Sequence, residues 1–281
     1  MSDHPSYWRV FLTFAGNSLV RDMTFRVNFL IECVSSLSWA FMNLGFYLLI
    51  FQYTNQIGRN TGWGQYEFFA FLATSMFINS LVQALFMPNC EEFSEMIRRG
   101  GLDFALLKPI DTQFLVSLHK IDWSSLSNFV LAIGLLAVSV WGMTTRTESP
   151  VTIGIVAIML YPLYIACGVV ILYSLMISLS ATSIWMGRNQ TLYDFWFYVT
   201  NFSRYPMEIY AGRLGTPLRW FFTYLIPVLV VVNVPARLLA QPLRPENTWL
   251  AGFALAATIG SLAASRWVFQ RALLSYRSAS S

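Results

Sequence analysis

Acid–base, metal and phosphate chemistry each require particular side chains gathered in one place, and in this 281-residue chain the candidates are sparse. The densest carboxylate group is Glu91, Glu92, Glu95 and Asp103, interleaved with Arg98, Arg99 and Lys108. At a membrane face such a group could act as acid and base on a lipid-linked substrate, but it has no histidine partner other than distant His119. His4 and His119 are the only histidines, and neither stands at metal-ligand spacing from a cysteine or carboxylate, so both read as structural or interfacial. Asp194 and Glu208 flank a mostly apolar stretch; ionisable groups there could relay protons, although places near the interfaces fit them better. Glu32, close to Arg26 and Asn28, reads as part of an interfacial pair. Cys33, Cys90 and Cys167 show no CxxC spacing and read as small buried apolar residues. No GxxxxGK[ST] run occurs, so this chain lacks a backbone cradle for nucleotide phosphates. Catalytic, cofactor-binding and metal-binding residues are therefore not expected, and the chain is not expected to be an enzyme.

The elements around these residues are set by composition. Hydrophobic residues make up 56% of the chain and charged ones only 11%, against about 25% charged in soluble domains. A net charge of +4, spread along the chain, excludes a nucleic-acid footprint. The first 26 residues hold Asp3, Arg9, Arg21, Asp22 and Arg26 without a short apolar core and cleavage site, which predicts that the N-terminus is retained. A helix needs about 20 apolar residues to cross roughly 30 Å of hydrocarbon. Charge-free runs of that kind cover residues 33–58, 68–90, 123–145, 149–187 and 247–265. The fourth is read as one long helix that can kink at Pro162. Aromatic residues at run ends, among them Trp63, Trp123, Trp141 and Trp249, suit interfacial belts.

Between Arg188 and Glu246 the pattern is less regular, and the basic residues help to sort it. With the N-terminus inside, 11 Lys and Arg fall on the inner side and seven on the outer, five of the seven within the irregular region. Cytoplasmic loops carry the excess of Lys and Arg, so both termini are predicted to be cytoplasmic, which requires an even number of crossings. One more span, about residues 187–203, completes six. The apolar stretch 220–236 must then dip in and return as two half-helices facing outward, broken at Pro227 and Pro235, within an outward re-entrant region 204–245. The prediction is an all-α polytopic membrane protein of one domain, residues 1–281, with six transmembrane helices.

Two amphipathic segments lie outside the spans. Trp8, Phe11, Leu12, Ala15 and Leu19 recur at helical spacing within the N-terminal 1–26 stretch, predicting a helix at the inner surface that anchors the first span or contacts a partner. In the 91–111 connection, Phe93, Met96 and Ile97 form an apolar stripe, and Glu91, Glu92 and Glu95 suit a helix start while Arg98 and Arg99 suit its end. Gly100 and Gly101 stop that helix, and Leu102, Phe104, Leu106 and Leu107 follow up to Pro109. Physical chemistry alone leaves two readings open, a turn resting on lipid or a rigid knob offered to a cytoplasmic protein.

The run from Ile97 to Asp111, IRRGGLDFALLKPID, resembles the cytoplasmic loop of ABC-2-type transporter permeases in the branch with a basic-Gly-x-Leu-Asp-x-x-Leu-x-[Lys/Arg]-Pro pattern. Arg99, Gly100, Leu102, Asp103, Leu106, Lys108 and Pro109 carry the match, and the stretch from Tyr205 to Leu239 resembles the family's YP…IP…P region. The resemblance implies a permease subunit of an ATP-driven exporter, paired with a second permease, the same or related, in a cytoplasmic (inner) membrane. It implies that Glu92, Phe93, Met96, Ile97, Arg98, Arg99, Gly100, Leu102, Asp103, Lys108 and Pro109 form a coupling helix and loop that fit a separate ABC ATPase, to which ATP and Mg²⁺ would bind. It also implies an outward gate that includes Tyr205, Pro206, Pro227 and Pro235. The rival reading is a polytopic enzyme acting on a lipid-linked substrate; an ion-coupled carrier working alone is a third, and the scarcity of charge within the spans counts against it.

Overall fold

The structure is a computed structural model that describes residues 6–58, 61–146, 150–186, 190–241 and 248–276. Among these residues every regular element is a helix and no strand occurs. The order is α1 (Tyr7–Thr24), α2 (Arg26–Tyr53), α3 (Gln65–Leu85), α4 (Met87–Arg98), α5 (Gly101–Leu106), α6 (Thr112–Leu118), α7 (Ser127–Thr144), α8 (Ile155–Ala181), α9 (Ser183–Met186), α10 (Gln190–Asn201), α11 (Gly215–Trp220), α12 (Val228–Ala240) and α13 (Thr248–Ser275). Five stretches are long and apolar enough to cross a membrane: Arg26–Tyr53, Gln65–Arg98, Ser124–Thr144, Ile155–Met186 and Thr248–Ser275. The pair Gly215–Leu225 and Val228–Ala240 passes the same test jointly but is bent by 88°, so counting it as one span would bring the total to six. The chain is thus a multi-pass, all-helical membrane protein.

These positions refine the sequence reading. The helix that carries the first charge-free run begins at Arg26, so Asn28, which donates to Glu32 at 2.6 Å, and Glu32 lie in its first turns, as predicted. The fourth run is a single helix that continues through Pro162, as predicted. The segment predicted as a span at 187–203 holds α10, 12 residues long, followed by a 3₁₀ turn at Phe202–Arg204; residues 187–189 lie outside the described residues. Twelve residues rise only about 18 Å, so the passage from Ser180, beside Cys90 at one end of the bundle, to Glu208, beside Trp63 at the other, uses α9 and the 3₁₀ turn as well as α10. The predicted break at Pro227 is present, between a π-helical turn at Phe221–Leu225 and the start of α12. Pro235, by contrast, lies inside an unbroken α12. Proline cannot bond the carbonyl four residues back, here that of Val231. That carbonyl lies against Gly168 of α8, where an added Cβ would stand 3.0 Å away. Glycine at 168 permits this close approach of α8 to the backbone of α12.

In lipid, helices gain little from apolar burial against each other, so close packing and polar bonds must hold them. All thirteen residues of α12 are buried, chiefly against α8 and α3. At Gly142 of α7 a Cβ would collide with the Tyr66 ring of α3. Buried hydroxyls add specific links: Thr74 to Tyr161 at 2.9 Å, Ser80 to the Ser125 carbonyl at 2.7 Å, and Tyr164 to the Ala251 carbonyl at 3.1 Å.

Candidate functional site

Two polar assemblies occupy opposite ends of the bundle. At the first end α4 leaves α3 at Phe86 and runs to Arg98, where the Arg99 and Gly100 amides bond back to Glu95 and Ile97 at 3.0 and 3.1 Å. Gly100 has φ +71°, the left-handed cap conformation that a side chain disfavours, so the glycine terminates the helix as predicted. Six more residues of helix (α5), a turn through Lys108 and Pro109, and α6 complete a compact knob. Asp111 caps α6 by accepting from the Phe114 amide at 2.9 Å.

The predicted residues of this loop divide into two groups. Phe93 and Leu102 are fully buried, and Phe93 packs against Phe269 of α13 at 5.9 Å between rings. Met96 and Ile97 are half-buried against the same core. Glu92, Arg98, Arg99, Lys108 and Pro109 are exposed, and Asp103 is half-exposed with its amide bonded to the Gly100 carbonyl at 3.2 Å. Arg98 and Arg99 both pair with Glu95 on their own helix, and Lys120 pairs with Glu92. The exposed apolar part of the knob is Phe104, 72% exposed, Leu106 and Leu107, 82% exposed. Sequence reasoning did not separate these from their buried neighbours, although the i, i+3 spacing of Leu102 and Ala105 sets Phe104 on another side of the short helix.

What fixes the knob to the bundle was also missed. Arg266 of α13 donates to Asp111 Oδ1 at 2.9 Å, to Gln113 Oε1 at 3.1 Å, and closely to Asp111 Oδ2. Burial opposes ionisation of Asp111, but the bonds from Arg266 and the Phe114 amide outweigh it and hold the carboxyl below its usual range. Gln113 and Ser117 both reach the Tyr173 hydroxyl of α8, at 3.1 and 2.9 Å. Buried Asn89 bonds both the amide and the carbonyl of Lys120, at 2.9 and 2.7 Å. Half-buried His119 has its pKa pushed down by burial and by the Lys120 charge, and its Nδ1 is buried without a partner. Helix α1 docks on the same segment: Ser18 accepts from the Ile121 amide at 3.0 Å, and Trp123 donates to the Ala15 carbonyl at 3.3 Å. Its Trp8, Leu12 and Leu19 point away from the bundle and remain exposed.

At the opposite end the chain folds back from Tyr205. Tyr205 is 40% exposed, and Pro206 opens a 3₁₀ turn, Met207–Ile209, whose first amide donates to buried Asn233 of α12 at 2.9 Å. Glu208 pairs with Arg237 of α12 and accepts from the Trp63 indole at 3.0 Å. Gln241 reaches the Thr61 carbonyl at 3.3 Å, and Gly215 lies against the Tyr210 backbone. Gly215 at the start of the bent pair and Arg237 near its finish both lie beside the Glu208–Tyr210 turn, with Pro227 at the 88° bend and Pro235 within buried α12. Glu208 and Arg237 are 29 positions apart in the chain, and nothing in spacing links them.

The family model described as "ABC-2 family transporter protein" matches residues 37–280 of the chain. No curated protein and no solved structure gives a match.

Proposed function

Since the chain belongs to the ABC-2 transporter family and is thus the membrane permease of an ABC transporter, we propose that it is the path-forming subunit of an exporter, moved by a separate ATPase that docks on the α4–α6 knob. A second permease, identical or related, completes the path. Both termini lie in the cytoplasm of a plasma-membrane protein, and α1 rests its exposed Trp8, Leu12 and Leu19 on the inner leaflet. ATP and Mg²⁺ bind the partner. Its closure shifts the knob, and α8 and α13 follow because Phe93, Asp111 and Gln113 hold them. The outward gate is the bent pair with Tyr205, Pro206, Pro227 and Pro235. The ATPase favours one arrangement only to the extent that it binds that arrangement better.

The observation that carries this reading is the two-sided build of the knob. Its inner side is locked to two spanning helices, while its outer side offers Phe104 and Leu107 beside Arg98, Arg99 and Lys108 with no protein covering them. The test is Phe104→Glu with Leu107→Glu, changes at exposed positions that leave the fold intact. The expected result is normal membrane insertion with loss of ATPase co-purification and of transport; unchanged co-purification and transport refute the reading. A cysteine at Ser94 tests orientation independently. It should label from the cytoplasm, and labelling from outside overturns both the docking and the gate assignments.

A further inference from the structure

A cavity of about 330 Å³ lies where α1 meets the knob. Phe14 of α1, Met96 of α4, Phe104 of α5, and Leu115 and Val116 of α6 give it apolar walls, and Lys108 and His119 are the polar side chains among its described lining. Leu115 and Val116 are buried while Phe104 is 72% exposed, so the cavity has a closed floor and an open rim. This volume, with mostly apolar walls and a few polar groups, matches the ordinary build of a small-molecule site.

The charge of the lining has one sign. No carboxylate stands among the described lining residues, and those nearby are already taken: Glu95 pairs with Arg98 and Arg99, Glu92 with Lys120, and Asp111 with Arg266. Lys108 is exposed and makes no ion pair among the described residues. Its charge nevertheless reaches His119, whose imidazole is held below its ordinary value first by burial, then by Lys120 and Lys108, with Glu92 acting against them. His119 Nδ1 is buried without a partner. The cavity thus combines an unpaired ammonium, a buried ring nitrogen that lacks a bond, and an apolar floor. An anionic oxygen meets the ammonium and accepts from the imidazole when its proton is on Nδ1, and a hydrocarbon covers the floor.

We propose that this cavity binds a single-chain amphiphile with a carboxylate head, a free fatty acid, its chain over Leu115 and Val116 and its head at Lys108 and His119. A cationic amphiphile would bring its charge to Lys108 with no carboxylate in the described lining to balance it. A neutral hydrocarbon would leave the buried Nδ1 unbonded. The volume suits one chain and is too small for the two chains and glycerol of a phospholipid. A bound chain ties α1 to the knob. Phe104 and Lys108 also belong to the surface assigned above to the ATPase, so occupancy and docking are linked; that consequence, unlike the site itself, rests on the docking reading.

The test uses the purified full-length permease, without an ATPase, in phosphatidylcholine nanodiscs. It is photolabelled with dodecanoate carrying a diazirine at the chain end, and the adducts are mapped by peptide mass spectrometry. Labelling should saturate, fall on the peptides that hold Phe14, Met96 and Leu115, and be displaced by dodecanoate but not by dodecyltrimethylammonium. In Lys108→Glu the affinity should drop at least about tenfold, because a charge-assisted bond becomes a repulsion. Lys108 is exposed and unpaired, so the reversal leaves the packing intact, and the displacement measurement needs no variant. Labelling that does not saturate, equal displacement by the cation, or unchanged affinity in Lys108→Glu overturns the proposal. So does loss of the saturable label when phosphatidylglycerol is added to the nanodisc, which would give the site to an anionic phospholipid. Because no ATPase is present, failure of the docking reading leaves these results untouched.

Discussion

Replacing Glu208 with Ala strips Arg237 of its carboxylate while leaving a guanidinium side chain that is only 9% exposed. Removing one partner of a buried ion pair costs about 3–5 kcal/mol, because the remaining charge stays desolvated. Glu208 is itself 23% exposed, so water can partly replace it, which moves the expected cost toward about 3 kcal/mol. The Trp63 indole loses its acceptor as well, adding about 1 kcal/mol. The sum, roughly 4 kcal/mol, is large against an ordinary folding stability of about 5–15 kcal/mol. The assay is reversible unfolding in mixed detergent micelles, with the change in free energy read for Glu208→Ala, for Arg237→Met, and for Glu208→Leu combined with Arg237→Met. The double variant should recover most of the loss, since apolar replacement of a whole buried pair is often neutral or better. A Glu208→Ala variant within about 1 kcal/mol of the parent would refute the reasoning, as would a double variant no more stable than Glu208→Ala.

Three other outcomes follow from the packing. Gly142→Val, which drives a side chain into Tyr66, should destabilise the α3–α7 contact by about 1–3 kcal/mol in the same unfolding assay, and Tyr66→Ala in that background should restore part of it. Arg266→Met should separate the knob from α13: ATPase activity in the complex persists while transport per ATP hydrolysed falls several-fold, about the effect of 1–2 kcal/mol of lost coupling. His119, depressed below its ordinary value of 6.5 by burial, binds a proton more readily in the unfolded chain. Its contribution is therefore intact above 6.5 and declines as pH falls below it, so hydrogen exchange of α6 should quicken in that range in the parent and not in His119→Gln.

How far such features can be read in the sequence depends on the range of the physics involved. Lipid excludes charge along a whole helix, so five spans are visible as charge-free runs, and the positive φ at Gly100 is foreshadowed by paired glycines after a basic helix end. The bend at Pro227 is legible for the same local reason. Pro235 shows where local reasoning stops: the same residue type breaks nothing in α12, a helix whose every residue is buried against α8 and α3. The loop repeats the lesson. An i, i+3, i+4 stripe predicts that Phe93, Met96 and Ile97 share a face, yet periodicity cannot say whether that face meets a partner or the protein's own α13. Phe269 and Arg266 decide it by occupying the inner side, which turns Phe104 and Leu107 outward. The docking surface we propose is thus defined by subtraction, as the apolar residues of the loop that the spanning helices leave exposed. On the proposed docking, recognition energy would fall on Phe104 and Leu107 and transmission of force on Phe93, Asp111 and Arg266. Substitutions in the first pair should abolish partner binding, and those in the second group should preserve binding while breaking transport.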